Sequence, residues 1–430
     1  MKTVIMAGGK GSRMGPMSAD IPKPMLPIEG KPILEHEINC LRAQGFTDII
    51  ITVSYFGDVI KDYFTDGKKW GVSLQYFDEP LPLGNAGALF KLRPYLQEDF
   101  LLLNADIIFN VKLSRLVDYH YKKGGWATIL GYANNHPEDS GLLITDEHNR
   151  IIQWFTKEER RPEWYKNCVN GGLHIISPLA LDAVINNLTE NSGPAGQKII
   201  RADLDRQVLK PLCKTGKIFC YKSPEYVQDM GTPERYARVC EDVRSGLVKS
   251  RDFSHPQRAI FLDGYGIISR RVSGKGNPET FELLPGATKA VRKINEKGWF
   301  VILLTPPPVT CAEQPAPEEV VQFHNKIETL LGREGAFVDQ IYMYPSRLCM
   351  REQEYAPKIF YPCAAPNPAI LLQAAGELHI DLSQSWVWGT NPKYIHIGKS
   401  AGCKTCFIGK GAFGQDKTAL SLSVAAEQIL

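Results

Sequence analysis

The residues with the clearest chemical potential lie at the start of the chain, in VIMAGGKGSRM at positions 4–14. An apolar run passes directly into Gly8, Gly9 and Gly11. Glycines at such a turn adopt backbone angles closed to other residues and let amide N–H groups face an anion without a Cβ in the way. Arg13 follows, with a planar guanidinium fork suited to phosphate oxygens. In IPKPMLPIEGKPILEH, Lys23 stands between Pro22 and Pro24, so its backbone is stiff and its ammonium is held near a defined point. A glycine turn with two such cations is equipped to hold a polyphosphate.

These residues need a scaffold, and the pattern of apolar runs supplies one. TVIMA, DIIITVS, VSLQYF and FLLLNADIIF alternate with the helical patterns PILEHEINCLRAQG, GDVIKDYF and LSRLVDYHYKK, which predicts βαβ units and a mostly parallel sheet. After Trp126 the runs ATILGYA, GLLITD, RIIQWF and GGLHIIS come closer together and predict strands added across or beside that sheet. A helix at about 200–211, a strand at KIFCYK and a helix from Pro233 to about Ser245 complete a first domain, 1–243. SGLVKSRDFSHPQ, polar and without a strong period, reads as a linker over 244–257. A second alternation fills 258–430: RAIFLDG, ATKAVRKINEKG, FVILLT, a helix near 318–332, DQIYMY, AILLQAAGELHI, SWVWGT and KTCFIG. PPPVTCAEQPAPEE at 306–319 reads as an irregular excursion. The fold class is therefore α/β twice over, a Rossmann-like domain with a mixed, mostly parallel sheet followed by a second α/β domain.

Bulk properties narrow the function classes. At 430 residues the chain is too long for one ordinary core, and 43% hydrophobic residues suffice for two. A net charge of +3 from mixed signs gives no electrostatic case for nucleic acid. No run approaches a membrane span, and MKTVIMAGGKG turns to glycine too early for a signal peptide, so a cytoplasmic protein is expected. Ten cysteines without a disulfide-type framework read as buried, reduced thiols, the Cys403/Cys406 pair included. Oligomeric state is left open, a homo-oligomer included.

GGKGSRM followed by PKPMLPIEGKPILEH resembles the signature of the sugar-1-phosphate nucleotidyltransferases, with Ser12 and Met14 in place of the commoner Thr and Leu. The resemblance continues in order through about residue 240. EPLPLGNAGAL at 79–89 is similar to that family's base-holding loop, in which a helix begins at Gly84 and Asn85 replaces Thr. LLLNADIIF ends in Asp106, and YVQDMGTPERYARV carries Asp229, the positions of the family's two metal-binding acids. WFTK places Lys157, VNGGLHII places Asn170 and Gly171, and SGLLI places Gly141. The resemblance implies nucleotide contacts from Ala7, Gly8, Gly9, Gly11, Ser12, Gly84 and Asn85, and sugar-phosphate contacts from Gly141, Lys157, Asn170 and Gly171. Two acids at strand ends are costly to bury unpaired, and a shared Mg²⁺ accounts for both.

The implied partners are a nucleoside triphosphate and a sugar 1-phosphate. The implied reaction is in-line attack of the sugar phosphate on the α-phosphorus, with pyrophosphate leaving. Both substrates are anions, so alignment and neutralisation by Arg13, Lys23, Asp106 and Asp229 carry it. The second domain resembles the haloacid-dehalogenase (HAD) phosphatases, especially the heptose-bisphosphate and histidinol-phosphate group. Its would-be nucleophile Asp263 and phosphate-contacting Thr305 are present. The acid is replaced by Tyr265, the phosphate-binding Lys by Asn367, and two metal-holding acids by Thr390 and Tyr394. Of the relatives' zinc ligands only Cys363 persists. The expectation is a phosphatase frame without activity. Pairing with such a frame implies GTP and D-glycero-D-manno-heptose 1-phosphate, or a related hexose 1-phosphate, as substrates. The alternatives are a bifunctional enzyme and a non-catalytic sensor of nucleotide-sugars.

Overall fold

A computed structural model describes the chain except residues 10, 80–82, 189, 193–197, 270–280, 306–316 and 345–366, and except the side chains at 12, 190–192, 198, 199 and 317. The Pro-rich stretch lies largely outside the described residues, as do Cys363 and the Ser12 side chain. The chain forms two compact units. The first comprises Met1–Tyr132, Ser140–Glu159 and Cys168–Asp252; the second comprises Ala133–Asp139, Arg160–Asn167 and Phe253–Leu430.

At the centre of the first unit, strand Thr3–Met6 pairs in parallel with Asp48–Val53 on one side and Phe100–Asn104 on the other. Ser73–Asp78 extends the parallel part. Val169–Ile176 joins antiparallel to Phe100–Asn104 and carries Ala127–Tyr132 beyond it. Ile218–Lys222 follows, parallel to Ala127–Tyr132, while Leu142–Thr145 and Ile151–Phe155 form an antiparallel pair off Val169. The result is a mixed nine-stranded sheet among the described residues. Its central strands are near-continuous apolar runs because both faces are covered. Val4, Ile50 and Leu102 enter one core, and Ile5, Ile49, Ile51, Leu101 and Leu103 the other.

A two-stranded ribbon outside this sheet was not legible as such in the sequence. Ile107–Asn110 pairs antiparallel with Tyr226–Asp229, so that Asp229 stands opposite Ile107. A small third core of Met14, Leu26, Ile28, Ile33, Ile108, Tyr226, Met230 and Val239 underlies it. The supposed linker is partly ordered onto the same ribbon. It forms a one-turn helix, Leu247–Ser250, and Asn110 Nδ2 donates to Val248 O at 3.0 Å and to Asp252 Oδ2 at 2.5 Å. Leu247 and Val248 also pack against that core, but two apolar residues in a polar stretch carry no period that the sequence could show.

Among the described residues the second unit holds six parallel strands in the order Gln340–Met343, Phe300–Thr305, Ala259–Asp263, Trp386–Gly389, Lys404–Ile408, Lys417–Ala419. Numbered along this unit the order is 3-2-1-4-5-6, a doubly wound sheet whose strand order reverses beside Ala259–Asp263. The last strand and the helix Leu422–Ile429, capped by Ser421, lie beyond the elements read from sequence. Cys403 and Cys406 belong to different cores of this sheet, and burial pushes both thiols up to about 12. They do not form a redox pair. Among the described residues no helix is long and apolar enough to cross a membrane.

Candidate functional site

The glycine turn opens at the carboxyl end of Thr3–Met6 into a cleft of about 540 Å³, a size suited to a small-molecule ligand. Ala7, Gly8, Gly9, Gly11, Arg13, Lys23, Gly84, Asn85 and Asp106 all line it. Gly11 sits at φ +63°, and a Cβ there would approach the Cβ of Lys23 to 3.1 Å. The absent side chain therefore lets the glycine turn and the Lys23 turn lie against each other. Residues Lys23–Met25 form a single 3₁₀ turn set by the two prolines. Only 7% of Lys23 is exposed, and its Nζ meets Asp106 Oδ2 at 2.5 Å.

The base-side loop differs from expectation. The helix begins at Gly87, not Gly84. Gly84 takes φ +77°, and a Cβ there would stand 2.3 Å from Ala202 O. The chain is held to Ala202 by Leu83 and Ala86 before it can turn helical. Asn85 Oδ1 accepts from Leu204 N–H at 2.7 Å, so its carbonyl is committed to the loop.

Asp229 is carried to the same region by the ribbon. Met230 N–H donates to Asp106 O at 3.0 Å, which locks the two acidic turns together. Asp229 Oδ1 accepts from Gly231 N–H and from Arg235 Nη1, each at 2.8 Å. Arg235, at the start of helix Pro233–Arg244, was not singled out in the sequence, nor was Glu37. Glu37 is buried under the Asp106–Ile107 turn and accepts from Ile107 N–H at 3.2 Å. Burial pushes its carboxyl well up, with the negative charge of Asp106 adding to that and the Ile107 N–H and Lys23 opposing it.

Residues 2–246 match the nucleotidyl transferase family. The chain belongs to that family. Among similar proteins, the mannose-1-phosphate guanylyltransferase of Mycobacterium tuberculosis is 30% identical over 283 residues, spanning 64% of this chain and 75% of that one. The UTP–glucose-1-phosphate uridylyltransferase of Synechocystis is 30% identical over 267 residues, spanning 58% and 65%. The solved structure of HddC from Yersinia pseudotuberculosis is 25% identical, with a TM-score of 0.47 over 56% of this chain and 99% of that one.

In this nucleotidyl transferase a further carboxylate, Glu79, lines the cleft beside Gly8. A Cβ on Gly8 would come within 2.8 Å of Glu79 Oε1, while Oε2 accepts from Leu83 N–H at 3.4 Å. Burial pushes the Glu79 carboxyl up. In the sequence Glu79 reads only as part of a loop, because an acid before a proline carries no signal of the pocket it faces.

The residues expected at the sugar form a neighbouring cluster. Asn170 Oδ1 accepts from Gly172 N–H at 3.0 Å and contacts His174 Nε2 at 2.9 Å, which fixes the amide and turns Nδ2 to Asp205 Oδ1 at 3.3 Å. Burial lowers His174 to about 3, so the ring is neutral. Gly141 lies against Asp205, Trp154 and Asn170. Gly171 instead faces Leu130, where a Cβ would come within 3.2 Å, so its smallness serves packing against Leu130. Lys157 is exposed on the turn after strand Ile151–Phe155.

In the second unit, Asp263 ends the strand beside the order reversal and is 2% exposed. It accepts from Tyr265 N–H at 3.2 Å and from Thr390 Oγ1 at 3.2 Å. Tyr265 and Tyr394 are buried; the Tyr394 hydroxyl meets that of Tyr344 at 2.9 Å, and burial raises both phenols. Thr305 Oγ1 lies 3.0 Å from His324 Nε2. Asn367 caps helix Pro368–Leu378 through Ala369 N–H at 3.0 Å, a backbone role. No group of three or more metal-ligating side chains occurs among the described residues of the chain.

Proposed function

We propose that this protein joins a nucleoside triphosphate to a sugar 1-phosphate, giving a nucleotide-sugar and pyrophosphate. The observation that carries this reading is the convergence of Lys23, Asp106 and Arg13 on a glycine-lined cleft. A non-bridging oxygen of the sugar phosphate attacks the α-phosphorus. The bond from that phosphorus to the bridging oxygen breaks, and pyrophosphate leaves with the electron pair. The phosphate monoester is already ionised at neutral pH, so no general base is required. The backbone N–H groups of the glycine turn and Arg13 hold the departing phosphates. Lys23 neutralises charge that grows on the α-phosphoryl oxygens, and Lys157 meets the incoming sugar phosphate.

Mg²⁺ fits the donor set: Asp106 and Asp229 offer hard oxygens on two backbone-locked turns, leaving further positions to phosphates and water. Bound there, the ion would supply Lewis-acid neutralisation of phosphate charge. Lys23 and Arg235 balance the same two carboxylates.

GTP is the favoured nucleotide. Glu79 brings a carboxylate to the cleft wall, and guanine is the base that presents adjacent N1–H and N2–H donors to such an acceptor. A mannose-type hexose or heptose 1-phosphate is the favoured acceptor, supported by the guanylyltransferase among the relatives and by the phosphatase-like second unit. The test is a matrix of nucleoside triphosphates against sugar 1-phosphates, read as Mg²⁺-dependent pyrophosphate release. GTP with a manno-configured sugar should lead; release from no pair would reject the reading in favour of a nucleotide-sugar sensor.

For the second unit we infer a HAD-like frame that has lost phosphatase chemistry. Two buried tyrosines and a threonine surround Asp263 where acids would hold a metal and donate a proton, which supports this. Incubation with sugar bisphosphates should release no phosphate. Release abolished by Asp263→Ala would establish the bifunctional alternative.

A further inference from the structure

The cluster beside the cleft contains two polar groups that the reading above does not use. Trp154 is 2% exposed, and its Nε1–H is buried with no hydrogen-bond partner. An unpaired buried donor carries a desolvation cost and calls for an explanation. Asp205 lies near it, at the start of the helical turn Leu204–Leu209. Its Oδ1 is taken by Asn170. Its Oδ2 lies on the other side, toward Gly141. A Cβ built on Gly141 would stand 3.3 Å from Asp205 Oδ2 and 3.3 Å from Trp154 Nε1. One acceptor and one donor therefore converge on the bare Cα of a glycine, and any larger residue at 141 would crowd the approach to both.

Two ties connect this spot to the nucleotide cleft. Leu204, immediately before Asp205, is bonded to Asn85 of the cleft wall. Asn170 lies on strand Val169–Ile176, beside Phe100–Asn104, the strand that leads into Asp106. Thr156, next to Lys157, is buried and its N–H donates to Glu159 Oε2 at 2.8 Å, so it offers the sugar no carboxylate.

We propose that Asp205 and Trp154 form a hydroxyl-reading subsite for the sugar. Asp205 Oδ2 accepts a hydrogen bond from one hydroxyl, and Trp154 Nε1–H donates to a neighbouring ring-substituent oxygen. The ligand class is a polyhydroxylated sugar bearing two adjacent oxygens. This rests on the transferase reading and adds to it the residues that choose the sugar. Desolvation by the surrounding protein pushes the Asp205 carboxyl up to about 7. Polar sites built to bond a hydroxyl discriminate strongly against analogues that lack it.

The test compares the full-length protein with Asp205→Asn, which is nearly isosteric, and with Trp154→Phe. Steady-state kinetics are run with the best substrate pair and with single-deoxy analogues of its sugar. Asp205→Asn should raise KM for the sugar 1-phosphate ~10-fold or more while KM for the triphosphate stays within ~2-fold. One deoxy sugar should be strongly disfavoured by the parent protein and no longer disfavoured by the variant. Trp154→Phe should blunt discrimination at an adjacent position. An active parent whose Asp205→Asn variant keeps the same sugar KM and deoxy profile overturns the subsite alone, as does an equal rise in both KM values with a lowered Tm, the mark of a structural role. A parent protein that releases no pyrophosphate from any pair, and binds no nucleotide-sugar by calorimetry, overturns the transferase reading and the subsite with it.

Discussion

At the scale of single residues, the cleft relies on charges whose partners are already in place. Lys23 is held by two prolines and by Asp106, so its ammonium needs little reorganisation when phosphate arrives. Lys23→Ala should lower kcat by about 10²–10³-fold, the usual cost of one preorganised charge contact at a reacting centre. A loss below threefold in pyrophosphate release would remove Lys23 from the chemistry. Asp205 yields a stability prediction. Burial, with Asp203 and Glu158 adding to it and the Asn170 bond and Arg206 opposing it, raises its carboxyl to about 7 against an ordinary 3.8. The folded chain thus keeps a proton that the unfolded chain releases, and stability falls as pH rises from about 4 to about 7. Asp205→Asn removes this dependence, so its Tm relative to the parent should improve by ~2 °C or more between pH 5 and pH 8. A pH-independent difference by differential scanning fluorimetry would contradict the assignment. Residue types at the glycine turn and at Lys23 were legible because chain-stiffening and chain-freeing residues advertise themselves. Glu79, Asp205 and Arg235 were not, because an acid or arginine at a turn reads as solvated surface until the fold surrounds it.

At the scale of elements, the ribbon Ile107–Asn110 with Tyr226–Asp229 sets the spacing of the two acids. Strands of the main sheet were legible from their length and apolarity. A four-residue ribbon is too short to carry a period, and its register depends on a partner more than a hundred residues away. The supposed linker supports this ribbon through Asn110, and Tyr226 N–H bonds Arg251 O at 2.9 Å. Asn110→Ala removes both side-chain bonds, to Val248 O and to Asp252. It should cost about 1–3 kcal/mol in urea unfolding and speed proteolysis within 247–252. Unchanged cleavage there would mean that the segment is held by its other contacts alone.

At the scale of the whole molecule, the family match ends near residue 246 and the first unit at Asp252, which invites a cut at that point. The cut would remove the partners of residues that the second unit takes from the first half of the chain. Trp164 is stacked by Lys326 and Arg333, at 4.7 and 5.3 Å from its ring. Tyr165 N–H donates to Thr329 Oγ1, and Asn167 N–H to Glu328, each at 2.8 Å. A 1–252 fragment should melt ~5 °C or more below the full chain and aggregate on heating. A fragment as stable as the parent would show these contacts to be dispensable. The same arrangement has a consequence during synthesis. Trp164 and Tyr165 leave the ribosome roughly 160 residues before helix Pro317–Arg333 exists to receive them. At translation rates of about 5–20 residues per second they wait roughly 8–30 s with aromatic surface uncovered. A holdase has that interval in which to bind the nascent chain, and a slow codon stretch between these points would lengthen it.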